Sequence, residues 1–406
     1  MLRELPPTSG LAPRFGDLFR AVRTDSDLAS DIARLLRTPQ VQIECSGTAC
    51  LVVALEYLKT RSRKRTVIVP AYTCPLVPLA AAHTGLRVVA CDTAAGGLEL
   101  DLDHLRRLVD RDTLCVVPTH YGGALADIGR VRRLVESLSP EIVVVEDAAQ
   151  AFGARWHDAS VGFAGHIGFY SFAAGKGFTL FEGGCLVSDD ASMRAGLRAM
   201  GSAVIKPSLA LEARRISELI GYHALYGPFG LRLSYGMARR RRLKRGDDIR
   251  AVGDYFESSI PLHPVGAWRR RVGSQSLTRL EGHLELTRRR FRRIQERIGK
   301  ITPEIAVHAQ QPGTYPTGTF VFVTLPTRRH CDQVLAELWP SGLGVTRLFA
   351  RAIGDYPYLA GALAASSTPN ARELAARTLT VTTSELLEDE ELETICAVIE
   401  KACRPS

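Results

Sequence analysis

Five short runs constrain the fold more than anything else in the chain. "TVIVP" (66–70), "RVVAC" (87–91), "TLCVVP" (113–118), "EIVVVE" (141–146) and "GCLVS" (184–188) are continuous, rich in β-branched residues and bounded by turns. A run with polar residues at every second place can leave one face in water, whereas a continuous apolar run needs cover on both faces. Between these runs "LDHLRRLVD" and "ADIGRVRRLVESL" repeat apolar residues at helical spacing. Strand and helix in alternation imply an α/β domain with a mainly parallel central sheet, and ligands are then expected just beyond the C-terminal ends of the strands.

The pattern breaks at 203–262, where "LIGYHALYGPFGLRLSYGMA" is apolar with Gly and Pro and runs into "RRRRLKR". A long charged helix is expected from about 271 to 299. After it "TGTFVFVTLP", a helix near 330–339, "LGVTRLF", "LTVTT" and a last helix over 387–403 read as a smaller α+β domain. The division expected is 1–262, comprising an N-terminal segment, the large α/β domain and the inserted segment 203–262, and 263–406, comprising the long helix and the small domain.

The chain is 46% hydrophobic and 23% charged, the balance of a soluble globular protein. No stretch reaches about 18 uninterrupted apolar residues, and "MLRELPPTSG" lacks the positive-then-apolar pattern of a signal. A cytoplasmic protein is the expectation. Nine cysteines are scattered through apolar runs with no CxxC and no Cys/His spacing for zinc, so reduced core thiols and no metal are expected. The net charge of +9 is concentrated in "ARRRRLKR" (238–245), "WRRR" and "TRRRFRR" (287–293). No aromatic-interleaved module accompanies these runs, so nucleic acid is not the expected partner.

Three local features carry chemistry. "EIVVVEDAAQAFGA" puts Asp147 directly after a buried strand, as a crevice carboxylate or as a turn and cap residue. "IECSGTACLVVALEYL" reads as strand, Ser-Gly-Thr turn and long helix. Its helix-start amides with Ser46 and Thr48 suit a phosphate, and a plain Ser/Thr cap reads equally well. "FYSFAAGKGF" holds Lys176, five positions after Ser171, among apolar and small residues. Burial there would lower the pKa of the amine, the condition for a nucleophile that forms a Schiff base. The segment is no P-loop, because Tyr170 stands where glycine is needed and Gly177 where a hydroxyl is. A phosphate cradle, a strand-end carboxylate and a buried amine, in this order, fit pyridoxal 5'-phosphate (PLP).

"SGTACLVVAL", "VIVPAYTCP", "YGGALADI", "VEDAAQAFGA", "GFYSFAAGKGFTLFEGGCLVS" and "LTVTTSELLEDEEL" resemble the DegT/StrS-like sugar-nucleotide aminotransferases of PLP fold type I. The resemblance is close over about 41–200 and looser over 270–406. It implies that Lys176 bonds the cofactor and shuttles a proton, and that Asp147 keeps the pyridine nitrogen protonated. It further implies that Gln150 contacts the ring's phenolic oxygen and that Gly47, Thr48 and Ser171 hold the phosphate. Members with histidine at the lysine position are dehydratases, so Lys176 implies transamination. The implied reaction, carried out by a homodimer, moves an amino group from a donor such as glutamate to a keto-sugar nucleotide in glycan, polysaccharide or secondary-metabolite synthesis. Alternatives are a non-sugar or lipid-linked ketone, or a non-catalytic PLP-binding regulator.

The chain departs from the family at Cys74, where an aromatic usually stacks on the cofactor ring. Tyr72 either takes that place or is packing. In the family a residue of the partner subunit reaches the phosphate from near the start of the charged helix. Here the region reads "GAWRRRVGSQS", and Arg269, Arg270 and Arg271 stand either for that group or for surface charge. Segment 219–245 reads as a peripheral contact with an anionic membrane surface, or as a dimer-interface lid whose basic end is solvated or faces a substrate diphosphate. His120 either lines the crevice or is a satisfied core histidine. Glu182 is expected to organise its turn, and His83, His104 and His166 to be incidental.

Overall fold

The computed structural model describes residues 3–308 and 311–404. Seven strands form the central sheet: β1 (Gln42–Glu44), β2 (Thr66–Pro70), β3 (Arg87–Cys91), β4 (Thr113–Val116), β5 (Val143–Asp147), β6 (Ile167–Ser171) and β7 (Gly184–Val187). Their order is β1-β7-β6-β5-β4-β2-β3, and only β7 runs against its neighbours. Every residue of β2, β4, β6 and β7 is buried, which is why these stretches are continuously apolar rather than alternating. All five runs singled out in the sequence become strands of this sheet.

A second sheet, wholly antiparallel, joins β8 (Ala306–Val307), β9 (Phe320–Thr324), β10 (Val345–Thr346) and β11 (Thr378–Thr382) in the order β8-β9-β11-β10. Its core contains Phe291, Ile294, Val321, Val323, Val334, Leu335, Leu379 and Ile395, and also Leu5 and Ala251 from distant parts of the chain. Leu5 is held there by its amide, which donates to the Gly342 carbonyl at 2.7 Å.

Helices used below are α1 (Phe15–Arg20), α2 (Gly47–Arg61), α3 (Leu209–Leu225), α4 (Met237–Lys244), α5 (Ala267–Leu277) and α6 (Leu280–Gly299). The single helix expected over 271–299 is two, α5 and α6, parted at Thr278 and Arg279. The buried Asp17 of α1 accounts for the corner: it pairs with Arg279, and its carboxylate accepts from the Ser276 hydroxyl at 3.3 Å. Thr278 also bonds back to the Gln275 carbonyl at 2.8 Å, drawing a local backbone acceptor out of the helix ladder.

The inserted segment is more regular than its glycines and proline suggest. Pro228 does not interrupt a helix; it occupies the first turn of a new one, where its missing N–H costs nothing. From there the chain stays helical over 228–244, through a π-helical turn at Arg232–Gly236. Gly236 sits where a Cβ would come within 2.1 Å of a Glu4 carboxylate oxygen. Glu4 is fully buried and pairs with Arg239 at 2.5 Å and Arg240 at 2.7 Å, and Arg240 Nε donates to the Pro340 carbonyl at 2.7 Å. Two of the run's six cations, Arg239 and Arg240, therefore anchor the segment inward, and the other four are exposed.

Candidate active site

β5 ends at Asp147, 3% exposed. Its amide donates to Pro118 O and its carbonyl accepts from the His120 amide, each at 2.9 Å, which fixes the strand end against the turn after β4. The carboxylate accepts from the Ala149 amide at 3.0 Å and from the Thr119 hydroxyl at 3.4 Å. Burial raises its pKa; the Ala149 N–H, the Lys176 ammonium and His120 oppose that rise.

His120 stands behind this carboxylate and is spent internally. Its Nδ1 accepts from the Ala126 amide at 3.1 Å, so Nε2 carries the proton and donates to Glu146 at 2.8 Å. Glu146 also accepts from the Gly162 amide at 2.5 Å and the Gly165 amide at 2.8 Å. His120 is 1% exposed and does not line the crevice.

The start of α2 lies beside the end of β6. Ser46 caps the helix: its hydroxyl accepts from the Ala49 amide and its carbonyl from the Cys50 amide, both at 3.0 Å. The amides of Gly47 and Thr48 have no acceptor among the described residues. A Cβ on Gly47 would stand 2.8 Å from Ser171 Cβ, and one on Gly184 would stand 2.7 Å from the Gly47 nitrogen. Two glycines thus let β6 and β7 press against the helix start, with Ser171 beside it, its hydroxyl accepting from the Ala173 amide at 3.4 Å. The cap and phosphate readings of this turn are compatible, with Ser46 as the cap.

The Lys176 loop leaves β6 between buried Phe172 and Phe178, whose rings meet at 5.0 Å. Gly175 has φ +81°, and the Lys176 amide donates to Ala173 O at 3.1 Å. The N-terminal segment clamps the loop from outside. Thr8 Oγ1 donates to Gly175 O at 2.6 Å and the Leu11 amide to Gly177 O at 3.1 Å, and a Cβ on Gly10 would lie 2.7 Å from Lys176 O. The phenylalanines take the core positions, so Lys176 is half-buried rather than enclosed as the sequence suggested. Its ammonium lowers the pKa of both Asp147 and Cys74, which lie within its electrostatic reach.

Cys74 is partly exposed there, its thiol pushed up to about 12 by burial. Tyr72 is not at the crevice. It is fully buried against Phe349 at 5.3 Å, Phe322 at 6.3 Å and Tyr121 at 6.4 Å, and its hydroxyl accepts from the Phe349 amide at 3.4 Å. Packing explains it. Gln150 is half-buried on the Asp147 turn; its side-chain oxygen accepts from the Gly122 amide at 3.2 Å and its carbonyl from Thr317 Oγ1 at 3.1 Å.

Arg269 is fully buried and grips Glu212 with two bonds, at 2.9 and 2.6 Å, while a third reaches the Glu182 carbonyl at 2.5 Å. Arg270 donates to Val265 O at 3.0 Å and Arg271 to Thr24 O at 3.5 Å. Glu182 pairs with Arg215 of α3. These groups hold the insertion against the lysine loop. Sequence reasoning missed Thr119, the Thr8–Leu11 clamp and Asp254, which accepts from the Tyr356 hydroxyl at 2.5 Å and the Ala350 amide at 2.7 Å. Thr119 could have been found as the strand-end neighbour of His120; the other two leave no local signal.

A mainly parallel sheet with one antiparallel strand, a helix-start cradle and a lysine loop beyond a strand-end aspartate define the fold-type I PLP-dependent transferases. The chain belongs to the DegT/DnrJ/EryC1/StrS aminotransferase family, whose model matches residues 18–224 and 270–400. Among curated proteins it is similar to L-glutamine:2-deoxy-scyllo-inosose aminotransferase of Micromonospora echinospora, 32% identical over 197 residues, 47% of this chain and 46% of the relative. It is also similar to GDP-perosamine synthase of Escherichia coli O157:H7, 26% identical over 220 residues, 53% of this chain and 57% of the relative. The matched stretch spans about half the length of these curated relatives. Among solved structures, an aminotransferase of Helicobacter pylori involved in pseudoaminic acid biosynthesis superposes with a TM-score of 0.74 at 14% identity, covering 99% of each chain. A sugar aminotransferase of Micromonospora echinospora does so with 0.73 at 20% identity, covering 98% of this chain and all of that one. At these identities the likeness is one of fold.

Proposed function

We propose that this protein is a PLP-dependent aminotransferase that moves an amino group from an amino acid, glutamate in the first instance, to the ketone of a sugar nucleotide. Family membership supports the class, and the reading is carried by Lys176 acting on the Asp147 carboxylate, together with two helix-start amides beside Ser171 that have no acceptor among the described residues.

The residues fit the cofactor. The Gly47 and Thr48 amides and the Ser171 hydroxyl would hold its phosphate, at the positive end of α2. Asp147 would face its ring nitrogen and Gln150 its phenolic oxygen. Bound there, the cofactor supplies an aldehyde that exchanges with amines and a ring that accepts the electron pair of a broken C–H bond. The Asp147 carboxylate would hold a proton on the ring nitrogen. The Lys176 amine would be the base that takes the proton from the donor's α-carbon and, in the return half-reaction, the acid that delivers one to the substrate carbon. The donor leaves as a keto acid and the ketone as an amine, so nitrogen and electrons balance.

A carbocyclic ketone is the second reading, because one relative is named for 2-deoxy-scyllo-inosose. The holoenzyme incubated with glutamate or glutamine and a panel of keto-sugar nucleotides and inososes, with amine products scored by mass, separates the two. No amine product from any pair would remove the enzymatic reading and favour a PLP-binding regulator.

A further inference from the structure

The helical stretch 228–244 lies outside the part of the chain that matches the family, which stops at 224 and resumes at 270. Its inner side is held: Leu231, Gly236 and Arg239 are buried, the last on Glu4. Its outer side is not. Phe229, Leu233 and Met237 follow one another at four-residue steps and are 65%, 51% and 38% exposed. The stripe leads into Arg241, Arg242, Lys244 and Arg245, all exposed.

No Asp or Glu occurs between Glu218 and Asp247. A second copy laid on this face by two-fold symmetry would bring the four exposed cations against their own kind, with no acid within the stretch to meet them. A partner that is anionic at its surface and apolar just beneath satisfies both halves of the face. Nucleic acid satisfies only the charged half, whereas a lipid surface takes both. No described helix is long and apolar enough to cross a bilayer, so the contact would be one of lying on the surface.

We propose that the 228–245 segment docks this protein on an anionic lipid surface. Phe229, Leu233 and Met237 enter the headgroup layer, and Arg241, Arg242, Lys244 and Arg245 meet lipid phosphates. The proline and glycines that break the sequence pattern are no obstacle, because Pro228 starts the helix and Gly236 makes room for Glu4. The Glu4 ion pairs present the face as a fixed part of the molecule, so no ordering step precedes contact. The docking does not depend on which ketone is aminated.

The test is co-sedimentation of the holoenzyme with vesicles of phosphatidylcholine alone and with added phosphatidylglycerol. Binding is expected only with the anionic lipid and should weaken as salt rises. At about fivefold per cation, Arg241→Gln with Arg242→Gln should lower the partition about 25-fold. Phe229→Ser with Leu233→Ser and Met237→Ser should abolish binding at moderate salt. These side chains are exposed and belong to none of the groups placed at the site, so soluble turnover should be unchanged in both variants, which also reports that they fold. Equal binding to both vesicle types, or binding indifferent to both variants, would overturn the proposal. So would a triple variant that changes the oligomeric state of a protein that never binds vesicles; the face would then be a contact between copies.

Discussion

At Asp147 burial pushes the carboxyl toward neutrality while the Ala149 N–H, Lys176 and His120 pull it back. A carboxylate in this position is held ionised by a facing cation, and in the proposed function the ring nitrogen of the bound cofactor would add one to the Lys176 ammonium. Asp147→Asn should therefore leave the cofactor bound but cut turnover by about a hundredfold or more in single-turnover kinetics; near wild-type turnover would remove the assignment. Gly47→Ala tests the cradle by size alone. The added methyl meets Ser171 at 2.8 Å, and the Kd for PLP, read by absorbance titration, should rise at least about tenfold with the protein still folded. The positions of Asp147 and Ser171 at strand ends, and of Lys176 in the loop after one of them, were legible in the sequence because a buried strand and its turn mark them locally. Tyr72 was not legible as core, because Phe322 and Phe349, which enclose it, come from the other end of the chain. The half-burial of Lys176 was missed for a related reason: the run around it is apolar because Phe172 and Phe178 are core.

Strands β2 to β5 could be read from local pattern because burial on both faces leaves its mark on all but their first residues. The corner between α5 and α6 could not, since its cause, Asp17, lies about 260 positions away. The inserted segment was read as interrupted because Pro and Gly are locally ambiguous; only the position of Glu4 shows why Gly236 sits inside a helix. Two measurements test how this segment is tied down. Arg269→Ala strands Glu212 and should cost about 3–5 kcal/mol in denaturant unfolding; a loss under 1 kcal/mol would mean that the pair does not hold α3. Burial pushes the Asp254 carboxyl up to about 6. The folded protein then keeps a proton that the unfolded chain releases near 4, so this group's contribution to stability falls as pH rises from about 4 to 6 and is level above. Asp254→Asn should remove that part of the slope, and parallel stability profiles for wild type and variant over pH 4–7 would contradict it.

Taken whole, the molecule is a sheet whose strand ends, lysine loop and helix start converge, with the N-terminal segment and the insertion packed round that loop. Leu5 lies in the core of the small sheet, while Thr8 and Leu11 hold the lysine loop. The first residues therefore connect the two sheets, a link that no reading of the N-terminus alone could show. All roles proposed for the crevice depend on a single covalent attachment. Reducing the PLP-loaded protein with borohydride and mapping the pyridoxyl-bearing peptide by mass spectrometry tests it directly. The tag should fall on Lys176 and be lost in Lys176→Ala. A stoichiometric tag on Lys59, Lys64, Lys206, Lys244, Lys300 or Lys401 instead, or no tag on protein saturated with PLP, would contradict the account.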